Sequence, residues 1–232
     1  MILELSGVSA GYERKRRVLR DVTFSVSAGE NVALIGANGA GKSTTLFVCC
    51  GIIAPETGSV SFDSQTLDER ARKSLWRRAG IVFQNPDDQL FMPTVAQDAA
   101  FGPEKLGLAP REAAVAAKEW LERLGIAGLS ERNPARLSGG EKRLAALAGV
   151  LAMNPELIFF DEPCAFLDPK ARRLLIAALR SVPTAKIIAT HDFDLASRLC
   201  ERTVLLSEGR VAADGLTPEV LGDAGLLESA GL

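Results

Sequence analysis

The chain has 232 residues, 47% of them hydrophobic and 6% aromatic, which is enough for one large domain whose core needs no disulfide or metal staple. Lys plus Arg number 27 and Asp plus Glu 29, a net charge of −2, so no basic excess marks nucleic acid as a partner. The longest apolar run, Leu144 to Met153, falls far short of the roughly 20 residues a membrane-spanning helix needs.

The first segment, MILELSGVSAGY, alternates like a strand and lacks the basic start, apolar core and cleavage site of a signal peptide, so a cytoplasmic chain is expected. Leu3 to Val8 and Val22 to Val26 read as short strands joined by a loop that carries the solvated charge run Glu13 to Arg17. Asn31 to Ile35 is a buried-type strand entering a glycine-rich turn, with a helix beginning near Gly41. Cys49, Cys50, Cys164 and Cys200 show no CxxC pair and no companion histidine, and are expected to be reduced, structural thiols. Gly58 to Phe62 reads as a strand, Arg70 to Arg78 as a charged helix, and Gly80 to Phe83 as another short strand.

From Thr94 to Met153 the pattern is helical, with Arg111 to Leu124 as its clearest segment and no strand in between. Strands resume at Leu157 to Phe160, Lys186 to Ala189, Thr203 to Leu206 and Arg210 to Ala213, the last two joined by a turn at Glu208 and Gly209. The helical block 87–153 therefore reads as an insertion into an α/β core made of 1–86 and 154–232. The chain ends soon after the last hairpin, which leaves no expected room for a regulatory domain.

Three motifs carry chemistry. Gly36 to Ser43, GANGAGKS, fits the phosphate-loop pattern between a strand and a helix: the glycines free backbone N–H groups to wrap phosphate oxygens, Lys42 neutralises the β and γ phosphates, and Ser43 offers a hydroxyl to Mg²⁺. Leu157 to Glu162, LIFFDE, is a buried strand delivering two acids to a sheet edge, and alternation along a strand sends Asp161 towards the metal and Glu162 to a separate volume. Leu137 to Glu141, LSGGE, is a capping box opening an apolar helix, and its two glycines make that helix start a second anion site.

This order of motifs, followed by His191 after an apolar strand, resembles the nucleotide-binding subunit of an ATP-binding cassette (ABC) transporter over nearly the whole chain. The resemblance implies a P-loop NTPase (RecA-like) α/β core with an antiparallel β subdomain and an inserted α-helical subdomain. It also implies that two subunits, alike or different, pack head to tail, each ATP lying between one phosphate loop and the other subunit's Ser138, Gly139 and Gly140.

It assigns Tyr12 to the adenine ring, where composition alone would make this lone tyrosine a packing residue. ATP contacts are carried over to Gly36, Asn38, Gly39, Ala40, Gly41, Lys42, Ser43, Thr44 and Asp168. Mg²⁺ goes to Ser43, Gln84 and Asp161; Glu162 is the general base, assisted by His191, Gln84 and Lys42. The chain departs from the common family pattern at Glu141, where Gln is usual, and at Cys164 and Phe166.

Phe83 to Pro103, FQNPDDQLFMPTVAQDAAFGP, resembles the matching stretch of energy-coupling-factor (ECF) importers, which bring in vitamins or cobalt and nickel ions. That implies a peripheral location on the cytoplasmic face of the membrane, with Gln84 to Phe91 gripping an integral membrane component. The competing reading is a soluble ABC-class ATPase in cofactor assembly or macromolecular remodelling. About 120 residues separate the phosphate loop from the acidic strand, without the heptads of a chromosome-maintenance coiled coil. A GTPase would need an NKxD sequence, which is missing.

Overall fold

A computed structural model describes all residues except Arg14, Lys15 and Phe166, and omits the side chains of Glu13 and Arg16. Most of the charge run and the Phe166 departure therefore lie outside the described residues. In chain order the strands and helices begin with β1 (Leu3–Glu13), β2 (Arg16–Val26), β3 (Asn31–Gly36), α1 (Lys42–Cys49), β4 (Thr57–Phe62), β5 (Gln65–Thr66), α2 (Glu69–Arg78) and β6 (Ala79–Val82). There follow α3 (Val95–Lys105), α4 (Pro110–Arg123), α5 (Gly139–Ala152), β7 (Leu157–Asp161), α6 (Pro169–Ser181), β8 (Ala185–Ala189) and α7 (Phe193–Leu199). The last elements are β9 (Arg202–Ser207), β10 (Arg210–Leu216), α8 (Thr217–Gly222) and α9 (Ala224–Ser229).

Contacts divide the chain into two compact units, one of Met1–Ala79, Glu156–Glu162 and Thr184–Leu232, the other of Gly80–Pro155 and Pro163–Pro183. The first unit holds an antiparallel sheet in the order β2-β1-β4-β5. It also holds the strand order β10-β9-β3-β8-β7, in which β9, β3, β8 and β7 run parallel and β10 returns antiparallel beside β9. Every residue of β7 and β8 is buried, as are five of the six in β3. A parallel strand covered on both faces has no polar side to show, which explains the uninterrupted apolar runs in the sequence. The turn between β9 and β10 places Glu208 at φ 48° and Gly209 at φ 77°, the pair of left-handed residues that a tight hairpin demands.

The first hairpin corrects the sequence reading. β1 and β2 are each 11 residues long rather than short strands. Register shifts fall between Leu5 and Val8, Val8 and Ala10, and Ala10 and Gly11. Each shift breaks the period-two alternation that makes a strand legible, so the strand continues where its pattern stops.

The second unit is helical, with α3, α4 and α5 in mutual contact and α6 against α5. Three of its helices carry side-chain N-caps: Thr94 accepts from the Gln97 amide at the start of α3, Ser138 from Glu141 at the start of α5, and Asp168 from Lys170 and Ala171 at the start of α6. Helix α6 is not among the elements expected from sequence. Its signal was present, since Asp168 followed by Pro169 is an N-cap and first-turn pair.

Candidate nucleotide site

In the first unit, β3 runs into the loop Gly36 to Gly41, whose glycines are sterically required at two points. A Cβ on Gly36 would stand 2.5 Å from the Leu206 carbonyl oxygen, and Gly41 adopts φ 106° with its would-be Cβ 2.8 Å from Leu19. Helix α1 then opens without a side-chain cap and with no acid in its first turn. Its first N–H groups thus face outward without a protein side chain to accept them, the arrangement that receives phosphate oxygens. No residue in that turn would repel such a ligand.

Lys42 is 8% exposed, and its ammonium donates to the carbonyls of Gly36 at 2.7 Å and Ala37 at 3.2 Å. Burial lowers its pKa, while the charges of Glu162 and Asp161 pull the other way. The cation is thereby held at the loop itself. The Ser43 hydroxyl donates to Asp161 at 3.1 Å across 118 residues of sequence. This pairing brings together two of the three candidate metal donors of the sequence reading, Ser43 and Asp161. Among the described residues no group of three or more His, Cys, Asp or Glu forms a metal cage. One hydroxyl and one carboxylate nonetheless fit Mg²⁺, which keeps waters and takes its other oxygens from nucleotide phosphates.

Asp161 is the last residue of β7, and Glu162 follows at φ 45°. The two carboxylates diverge because the backbone turns left-handed at Glu162, a sharper device than strand alternation. The Glu162 carboxylate accepts the Thr190 hydroxyl at 3.0 Å and the His191 N–H at 3.1 Å, and lies 2.8 Å from His191 Nδ1. Glu162 is buried while the His191 side chain is 63% exposed, so the pair spans the boundary between interior and solvent. Thr190, which also accepts from the Asp192 amide, is absent from the sequence-derived site. Its signal was weak: a strand-end threonine next to a candidate histidine.

Tyr12 is 64% exposed on β1, and its hydroxyl meets that of Thr44 at 3.3 Å. An exposed ring held at its tip can stack on a flat ligand. Asn38, Gly39 and Ala40 lie in the phosphate loop itself.

The remaining predicted residues belong to the second unit. Ser138 completes a capping box with Glu141, whose carboxylate accepts both the Ser138 amide and hydroxyl at 2.8 Å. These bonds hold the Glu141 carboxyl below the usual range. Gly139 has open space around its Cβ position, leaving the start of α5 accessible. Gln84 is exposed, with its carbonyl accepting from Arg143 at 2.7 Å. Asp168 caps α6, and the backbone N–H groups of Ala171 and Lys170 lower its pKa.

All four cysteines are free thiols, with Cys49, Cys50 and Cys200 buried. No helix among the described residues is long and apolar enough to cross a membrane.

Comparison with known proteins follows the same lines. The profile of the family described as ABC transporter matches residues 19–165. A putative ABC transporter ATP-binding protein of Geobacter sulfurreducens is 47% identical, covering 97% of this chain and 91% of its own length. The energy-coupling factor transporter ATP-binding protein EcfA of Methanothermobacter thermautotrophicus is 41% identical over the whole chain and 76% of its own length. Among solved structures, CbiO1 of Clostridium perfringens, described as part of the ABC transporter complex CbiONQ, superposes with a TM-score of 0.84 at 34% identity, covering 98% of this chain and 93% of that one. An ATP-binding cassette dimer in a post-hydrolysis state, bound to ADP and Pi, matches with a TM-score of 0.84 at 25% identity, covering 93% and 99%. The P-loop fold with mixed α/β sheets expected from sequence is the fold of these cassettes. The chain belongs to the ABC transporter family, as an ATP-binding subunit that hydrolyses ATP.

Proposed function

We propose that this subunit energises an ECF-type importer for a vitamin or for cobalt or nickel, working as one of two ATPase subunits on the cytoplasmic face of the membrane. The observation that carries the reading is a groove in the second unit lined by Gln89, Leu90, Phe91, Asp98 and Phe101, with a volume of about 130 Å³. Phe91 is 65% exposed and packs edge-on against Phe101 with ring centroids 4.9 Å apart. An exposed aromatic ring packed on a half-buried one beside a carboxylate suits a short amphipathic segment of an integral membrane component. The segment is the one that resembles ECF importers, and relatives named EcfA and the CbiO1 structure support the same assignment.

In the chemistry we propose, Tyr12 stacks on adenine, the loop from Gly36 to Thr44 cradles the phosphates, and Lys42 moves from the loop carbonyls to the β and γ phosphates. Ser43 and Asp161 would hold Mg²⁺ together with Gln84, and Asp168 would contact the nucleotide, the last two as the family resemblance implies. The metal, when bound, neutralises charge on the β and γ oxygens. Glu162 takes the proton from the attacking water, and His191, tied to it through Nδ1, orients the γ-phosphate side. Ser138, Gly139 and Gly140 present their N–H groups to the ATP of the second subunit.

Co-purification of the tagged chain from its native membranes, followed by mass spectrometry, tests the assignment. A small integral scaffold together with a substrate-binding membrane protein is the expected outcome. Recovery of soluble partners alone would overturn the importer reading in favour of a cytosolic ABC ATPase.

A further inference from the structure

Thr190 directly follows β8, at the sheet edge where β7 passes into Glu162. The residue before it, Ala189, pairs with Asp161 of β7 on one side and with Leu34 of β3 on the other. The Thr190 amide donates to the Leu34 carbonyl at 3.1 Å, and the Glu162 amide to the Ala189 carbonyl at 2.9 Å. Thr190 is therefore fixed by its neighbours in the sheet, and at 1% exposure its β-branched side chain has little freedom to turn.

Where its hydroxyl points follows from counting donors. A hydroxyl has one proton to give and two lone pairs to offer. The Asp192 amide donates to it at 3.1 Å, and Asp192 is itself held as the cap of α7, accepting the Leu195 amide at 2.9 Å. An ionised Glu162 has no proton to give, so the 3.0 Å contact with its Oε2 spends the Thr190 proton on that oxygen. The other oxygen, Oε1, accepts the His191 N–H at 3.1 Å and lies 2.8 Å from His191 Nδ1. The two side-chain partners differ in kind, because Thr190 is enclosed while the His191 ring reaches into solvent. A charge-assisted bond from an enclosed donor gives the carboxylate a fixed direction that an exposed ring does not.

We infer that Thr190 is a positioning residue for hydrolysis: its hydroxyl, aimed by the Asp192 amide, sets the direction of the Glu162 carboxylate. Glu162 leaves β7 with a left-handed backbone at φ 45°, so strand alternation no longer aims its side chain and the bonds to its two oxygens do. The inference rests on the reading, given under Proposed function, that Glu162 takes the proton of the attacking water.

The test compares phosphate release, binding of a fluorescent ATP analogue and thermal melting for the full chain carrying Thr190→Val, Thr190→Ala or Thr190→Ser, each alone and combined with Glu162→Gln. Valine keeps the volume, alanine avoids any strain that valine brings, and serine keeps the hydroxyl. Without the hydroxyl, kcat should fall about ten- to hundredfold, the worth of a hydrogen bond to a charged group. KM for ATP and analogue binding should hold steady, and serine should restore most of the rate. In the Glu162→Gln background the same substitutions should change the residual rate by less than about twofold, because the carboxylate they would misdirect is already gone. An equal loss in that background, or an equal loss with serine, would make Thr190 a residue of the fold alone and overturn the inference. So would failure of both the valine and alanine variants to fold, or an unchanged or raised kcat in variants that melt normally. Hydrolysis by the Glu162→Gln parent within about tenfold of the wild-type rate would instead sink the base reading, and the inference with it.

Discussion

Replacing Glu162 by Gln separates the catalytic duty of this carboxylate from its structural one. Structurally, Glu162 accepts from the Thr190 hydroxyl and the His191 N–H and contacts His191 Nδ1. A glutamine keeps one oxygen for the His191 N–H, and its amide can donate to Thr190, whose hydroxyl rotates to receive it. The loss should stay near 1 kcal/mol, one neutral hydrogen bond's worth, or about 2–4 °C in melting temperature for a chain of this size. Catalytically, the amide cannot take a proton, and a positioned base is worth about 10²–10⁴ in rate. The assay is phosphate release at saturating ATP alongside a thermal melt, with sedimentation to detect an ATP-trapped dimer. A variant that melts normally yet hydrolyses within tenfold of the wild-type rate would refute the assignment of Glu162 as base. A collapse of the melting temperature would refute the claim that glutamine preserves the hydrogen bonds.

Tyr12→Ala should raise KM for ATP with little change in kcat, whereas Tyr12→Phe, which loses only the contact with Thr44, should stay near wild type; steady-state kinetics distinguish them. Glu141 has a folded-state pKa held down by its bonds to Ser138, so its carboxylate contributes stability above the ordinary carboxylate range that is lost as pH falls through the lowered value. Glu141→Gln should accordingly flatten the fall in melting temperature on acidification below about pH 4.5. Asp98 behaves oppositely, because burial raises its pKa despite the Phe91 and Met92 amides, and its Oδ2 is buried with no hydrogen-bond partner among the described residues. Its charged form costs stability above the raised pKa and that cost is relieved as pH falls through it, so Asp98→Asn should raise the melting temperature at pH 7.5 and leave it nearly unchanged at pH 4.

Residues 36–43, 138–141 and 157–162 were legible as phosphate loop, capped helix start and acidic strand because each is dictated by neighbours in sequence. The glycine spacing of the loop, the Ser138–Glu141 cap and the apolar run before Asp161 each lie within a few residues of chain, although the atoms that exclude a side chain at Gly36 and Gly41 come from the distant Leu206 and Leu19. The lengths of β1 and β2 were not legible, since their bulges erase the alternation that announces a strand.

Local pattern therefore determined the strands β3, β7, β8 and β9 that carry the site, the phosphate-binding turn and, through the resemblance of its motifs, the family to which the chain belongs. Tertiary structure alone decided which side chains meet: Ser43 with Asp161, Thr190 with Glu162 and Lys142 with Asp87 lie 118, 28 and 55 residues apart. Such partners are chosen by the parallel registry of β7 beside β8 and by the packing of helix faces. No short-range pattern encodes them, because their energy is gained only after the chain has folded back on itself.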